Sequence, residues 1–172
     1  MIRGFVGLFC VLLVAAFAAE IAGAAEQQKK KDAAAAQVKI EQVEVRVSEV
    51  GPVVLLKAEN RMIPIFVDTT VAESIHAALT GGKLRRPYTH DLMHSVLGGF
   101  GGKVTRVTIS LKGSTYYADL AVVLRDTTKV FDSRASDAIA LAVHFKAPIM
   151  VSRELLESAG KEIAPPPGAT SL

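Results

Sequence analysis

Val107, Ile109 and Leu111 alternate with Thr108 and Ser110, and after Lys112, Gly113 and Ser114 a second apolar stretch runs back over residues 116–124. Successive side chains leave a strand on opposite faces, so a period of two on either side of a glycine-containing turn predicts an antiparallel hairpin. A second hairpin is predicted upstream, where apolar residues 53–57 and 62–67 are separated by Glu59, Asn60 and Arg61. Before it, Val43, Val45 and Val47 alternate with Glu44, Arg46 and Ser48, and Gly51 and Pro52 turn the chain. Pro64 has no backbone donor, so its segment is expected at an edge or to be locally irregular.

Helices are predicted between and after these hairpins. Thr70 and Glu73 have the spacing of a capping box, and Val71, Ile75, Ala78 and Leu79 then share one face until Gly81 and Gly82. A second helix is expected from an N-cap at Thr89 through Leu97, closed by Gly98, Gly99, Gly101 and Gly102. These glycines follow a helix and no Gly-Lys-Ser/Thr comes after them, which excludes a phosphate-binding P-loop. Beyond a polar turn at 125–128, a short strand at 129–131 leads into Asp132. Residues 138–143 are all apolar, predicting a helix buried nearly all round, ended by Lys146, Ala147 and Pro148. A short strand at 149–151 and a closing helix at 153–159 precede Gly160. Hairpins and helices in mixed order predict an α+β fold: a single domain with a mixed, mostly antiparallel sheet and about four helices.

The two ends read differently. Arg3, an apolar run over 5–19, and Ala22, Gly23 and Ala24 have the layout of a signal peptide, with cleavage expected after Ala24. The run falls short of a span of ~20 residues, and Glu20 interrupts its continuation, so no stable membrane span is expected after cleavage. Residues 25–37, with Lys29, Lys30 and Lys31 among alanines and glutamines, show no apolar periodicity and are expected to be a flexible linker. Pro165, Pro166, Pro167 and Gly168 make 164–172 a disordered tail in this reading, leaving 38–163 as the folded domain. The chain is thus expected to be exported, to a periplasm or the extracellular medium. Its one cysteine, Cys10, leaves with the signal, so thiol chemistry and disulfides are excluded from the mature protein. A net charge of +3 permits contact with nucleic acid without requiring it.

Charge meets apolar surroundings in two places: Arg85, Arg86, Pro87, Tyr88, Thr89, His90 and Asp91, and Asp132, Ser133, Arg134, Ala135, Ser136 and Asp137. Arg86, Pro87, Thr89, His90, Asp91 and Leu92 resemble the Arg-Pro-x-Thr-His-Asp-Leu stretch of the bifunctional nuclease family. Asp132, Arg134, Ser136, Asp137 and residues 138–142 resemble that family's Asp-x-Arg-Pro-Ser-Asp-Ala-Ile-Ala-Leu-Ala stretch, with Ala135 in place of its proline. Ile63, Pro64, Ile65, Pro148 and Ile149 also fall where the family has similar residues, and the resemblance spans about residues 43–160.

The resemblance implies hydrolysis of DNA or RNA phosphodiesters, here expected to have low sequence specificity. Such chemistry needs an activated water and stabilisation of charge on the phosphoryl oxygens. By residue type, Asp132, Asp137, His90 and Asp91 are the catalytic candidates. Asp132, Asp137 and Asp91 could hold a divalent cation such as magnesium or manganese, and His90 could serve as acid or base. Arg86 and Arg134, with Ser136, are candidates for binding the phosphate. Nucleic acid is the expected partner, and self-association into a homo-oligomer is open. Each carboxylate also has a plainer role: Asp91 and Asp137 lie in first helical turns, where they complement the macrodipole, and Arg134 could pair with Asp132. His90 and His94 have the four-residue spacing of a His-Glu-x-x-His zinc helix, with aspartate in place of glutamate, but supply only two of its ligands and no third is evident. The rival reading is a non-catalytic binding or scaffold module with the same polar cluster.

Overall fold

The alternation around Gly113 folds as expected, in a register that runs from Lys112 opposite Thr115 back to Gly102 opposite Leu124. This hairpin is the middle of a larger sheet. The computed structural model describes residues 36–82 and 84–163, and the unit considered begins at Val38. The predicted signal peptide (1–24), the predicted linker up to residue 35 and the predicted tail (164–172) lie outside the described residues.

Among the described residues there are nine strands and four helices. In chain order they are β1 (Gln37–Lys39), β2 (Gln42–Ser48), β3 (Gly51–Ala58), β4 (Arg61–Phe66), α1 (Thr69–Thr80), α2 (Thr89–Gly99), β5 (Gly102–Lys112), β6 (Thr115–Leu124), β7 (Thr127–Arg134), α3 (Ala135–Phe145), β8 (Ile149–Ser152), α4 (Arg153–Ala159) and β9 (Lys161–Glu162). They build two sheets, one ordered β1-β8-β5-β6-β7 and the other β2-β3-β4-β9. The β2–β3, β3–β4, β4–β9, β5–β6 and β6–β7 pairs are antiparallel, whereas β5 and β8 run parallel because α3 carries the chain from β7 back across the sheet. The fold is α+β, with mixed and mostly antiparallel sheets, as the sequence predicts.

Inward residues of both sheets share one core: Leu56 and Ile63 from the smaller, Val107, Ile109 and Ala118 from the larger. Val71 and Ile75 of α1 join it, and so does α3, buried continuously from Ala138 to Ala142. Alanine at 138, 140 and 142 lets neighbours approach α3 closely on several sides, which is why an all-apolar run can be a helix here instead of a strand.

Local details depart from the sequence reading. The first helix begins at Thr69 with extended Asp68 at its cap position, not at Thr70, and Glu73 accepts a hydrogen bond from the Tyr88 hydroxyl instead of closing a capping box. The second is capped by Tyr88 instead of Thr89 and runs on through Gly98 and Gly99. The strand expected at 129–131 extends over all of β7, because register with β6 holds even its exposed residues extended. Pro64 is tolerated because β9 pairs only with Arg61 and Met62, so that among the described residues the far end of β4 has no second neighbour.

Candidate functional site

The first turns of α2 and α3 meet, and the polar residues of both sequence stretches lie there. His90 is in the first turn of α2 and is 8% exposed; its Nε2 lies 3.1 Å from Asp137 Oδ1, in the first turn of α3. Arg134, the N-cap of α3, donates from Nε to Asp137 Oδ2 at 2.7 Å and from Nη2 to Oδ1 at 2.9 Å. Its Nη1 is 3.7 Å from Asp68, the N-cap of α1. Three helix N-termini therefore come together around one guanidinium group. Their exposed amide ends and the arginine charge make the region attractive to anions.

Burial raises the Asp137 carboxyl's affinity for a proton, but the Arg134 and His90 hydrogen bonds outweigh it and hold the group below the ordinary carboxylate value. Arg134 is raised correspondingly by Asp137. Donation from His90 Nε2 to the carboxylate leaves the ring's lone pair on Nδ1, the atom that could take a proton from water.

A second polar group lies deeper between α1, α2 and α3. Ser74 is fully buried and donates to Asp91 Oδ2 at 3.3 Å; the same carboxylate oxygen accepts the Tyr88 backbone N–H at 3.0 Å. His144 Nε2 is 3.0 Å from Ser74 Oγ and 3.8 Å from Asp91 Oδ1. With the serine proton given to Asp91, the His144 contact requires Nε2–H to donate to Ser74. Burial lowers the His144 pKa against the opposing pull of Asp91, with the His94 and His90 charges adding to the lowering. His94 stacks on His144 at 5.4 Å and meets Phe145 edge-on at 4.5 Å.

Serine, histidine and aspartate have the composition of a hydrolytic triad here, but not its geometry. Serine and carboxylate face the same ring nitrogen, whereas a relay needs one on each, and Ser74 has no access to solvent. The group fixes the start of α2 instead.

The structure thus brings the candidates His90, Asp91, Arg134 and Asp137 to one region, divided between two hydrogen-bonded groups. Ser136 is half-buried beside them in α3, and Arg86 is exposed on the approach to α2. Asp132 is exposed on β7, opposite Asp119 of β6, and Arg134 pairs with Asp137 and Asp68 instead of with it. Among the described residues no group of three or more histidine, cysteine, aspartate or glutamate side chains is placed to hold a metal. The Asp91 and Asp137 carboxylates accept hydrogen bonds at the starts of α2 and α3, and Asp132 lies in the β6–β7 pairing. His90 and His94 also turn to different partners, Asp137 and the His144 ring.

Ser74 and the Glu73–Tyr88 contact are absent from the sequence reading. One signal pointed to Ser74: it lies on the apolar face of α1, three residues after Val71 and one before Ile75, where a hydroxyl must find a buried partner.

The model of one protein family, described as "Bifunctional nuclease domain", matches residues 53–164 and so includes both polar stretches. An uncharacterized protein of Mycobacterium tuberculosis (strain CDC 1551 / Oshkosh) is 32% identical over 127 residues, 72% of this chain and 76% of that protein. Bifunctional nuclease 1 of Arabidopsis thaliana is 29% identical over 119 residues, 65% of this chain and 37% of its own length. Bifunctional nuclease 2 of the same plant is 29% identical over 117 residues, 64% of this chain and 36% of its own.

Proposed function

The chain belongs to the bifunctional nuclease domain family, and on that premise we propose that it hydrolyses phosphodiester bonds of DNA or RNA with low sequence specificity. The observation that carries this reading is the His90–Asp137–Arg134 group at the joined ends of α1, α2 and α3. Arg134, its side chain 65% exposed, and the exposed Arg86 would bind the phosphate. Asp137 orients His90, whose Nδ1 would accept the proton of the attacking water. Low specificity follows from reading backbone phosphate in place of base edges. The export reading of residues 1–24 would put this activity in a periplasm or outside the cell, which cell fractionation of a tagged chain would test.

One observation favours a second reading, a non-catalytic module that recognises an anionic partner. Asp137 is already matched to three protein hydrogen bonds, and Asp91 accepts from Tyr88 and Ser74, so both carboxylates serve the helices. Incubating the purified chain with labelled single-stranded DNA and RNA, with and without a chelator, separates the readings. Cleavage that His90→Gln abolishes while Arg86→Ala weakens binding supports the enzyme. Binding without cleavage supports the module. Cleavage untouched by His90→Gln would belong to a contaminant or to a different site, and would overturn the assignment.

A further inference from the structure

Among the described residues β7 ends the larger sheet, with β6 as its neighbour on one side only. Seven of its eight residues are exposed, including Val130 at 62% and Phe131 at 48%. Every second residue of such a strand turns its N–H and C=O away from the sheet, where they are ready to pair with another strand. Natural edges are usually blunted by charge, proline, a bulge or shortness, and of these β7 has only the charges of Lys129, Asp132 and Arg134. β7 has no proline, and its register with β6 is unbroken from Arg134 opposite Tyr117 to Thr127 opposite Leu124.

The order of side chains along β7 identifies what would cover it. Two copies pairing antiparallel about a two-fold axis normal to the sheet must set one residue opposite itself, since opposed residues share a face. With Lys129 on the axis, two lysines meet and Asp126 faces Asp132, both repulsive. With Phe131 on the axis, Asp132 faces Val130, leaving a carboxylate against a methyl pair. With Val130 on the axis, valine meets valine, Lys129 faces Phe131, Thr128 faces Asp132, Thr127 faces Ser133, and Arg134 lies opposite Asp126. In this register apolar residues meet, an ammonium faces an aromatic ring, a hydroxyl can donate to a carboxylate, and no like charges oppose.

We propose that a second copy of the chain occupies the β7 edge, in this register, making the two larger sheets continuous across a two-fold dimer. Arg134, at the outer end of this register, also belongs to the candidate site, so the proposal is tested at Val130, which the nuclease reading does not use, and the two can fail separately.

Sedimentation equilibrium of the full chain is expected to give the mass of two copies. Val130→Lys sets two ammonium groups on the axis and should raise the dissociation constant at least about tenfold, with an unchanged circular-dichroism spectrum because the position is solvent-facing. In a Cys10→Ser background, Val130→Cys should link copy to copy on mild oxidation, since opposed residues about 4.5–5.5 Å apart at Cα are within disulfide reach. A monomer at every concentration would overturn the proposal. So would a dimer unaffected by Val130→Lys, a dimer in which Val130→Cys fails to cross-link, or one lost only when residues 1–35 are removed.

Discussion

Replacing Asp137 with asparagine removes one charge at nearly constant volume where α2 and α3 meet. The carboxylate receives Arg134 Nε at 2.7 Å, Arg134 Nη2 at 2.9 Å and His90 Nε2 at 3.1 Å. The arginine side chain is 65% exposed, so solvent screens most of that pair, leaving about 0.3–1 kcal/mol. The histidine side chain is only 11% exposed, and its bond contributes about 1 kcal/mol. Asparagine keeps one acceptor oxygen but turns an NH2 toward a donor, so the expected loss is about 1–2 kcal/mol near neutrality. That loss would shift a midpoint of thermal unfolding by a few degrees.

The effect depends on pH in one direction. The folded-state pKa of Asp137 lies below its ordinary value of 3.8, so between the two the unfolded chain binds more protons. The stabilisation is complete above the ordinary value and is lost as pH falls through the folded one. Urea unfolding of both proteins should therefore show a gap near neutrality that closes well below pH 3.8. A gap of the same size in acid, or none at neutral pH, would refute the assignment of this carboxylate as the charged partner of Arg134 and His90.

The His144 pKa is lowered from 6.5, chiefly by burial, so acidification from 6.5 toward the folded value should weaken the fold. His144→Gln should flatten that part of a stability–pH profile measured by urea unfolding, and an unchanged slope would remove His144 as its source. At Gly160 an added Cβ would fall 2.1 Å from the Leu156 carbonyl oxygen and 3.3 Å from the Arg61 Cβ. Gly160→Ala should therefore lower stability by about 1–3 kcal/mol through forced displacement of the α4 end, measured by thermal melting; a neutral result would show that the closing segment adjusts freely.

How far the sequence could be read depended on whether burial left a period in it. Val107, Ile109 and Leu111 alternate because one face of β5 packs on α3, and the 138–143 run is apolar throughout because its helix is covered on all sides. β7 has no such signature: with seven residues exposed, Thr127–Arg134 contains no alternation of burial, and only its middle, residues 129–131, was recognisable. That failure displaced Asp132 from a loop beside the helix into a strand facing Asp119. At the helix starts, Thr70 and Thr89 are suitable caps by residue type, yet Asp68 and Tyr88 occupy the cap positions because neighbouring helices decide where each chain segment enters.

The amino-acid sequence alone determined the α+β class, the hairpins, the buried helix and the pair of polar stretches, because each is written in residues close together along the chain. Tertiary packing alone decided that there are two sheets, that His90 meets Asp137 across 47 residues, that Ser74 and His144 join Asp91, and that Asp132 lies opposite Asp119. No local period encodes those meetings. They follow from how α1, α2 and α3 pack together, where a buried polar atom keeps its place only if a partner from another element is there to hold it.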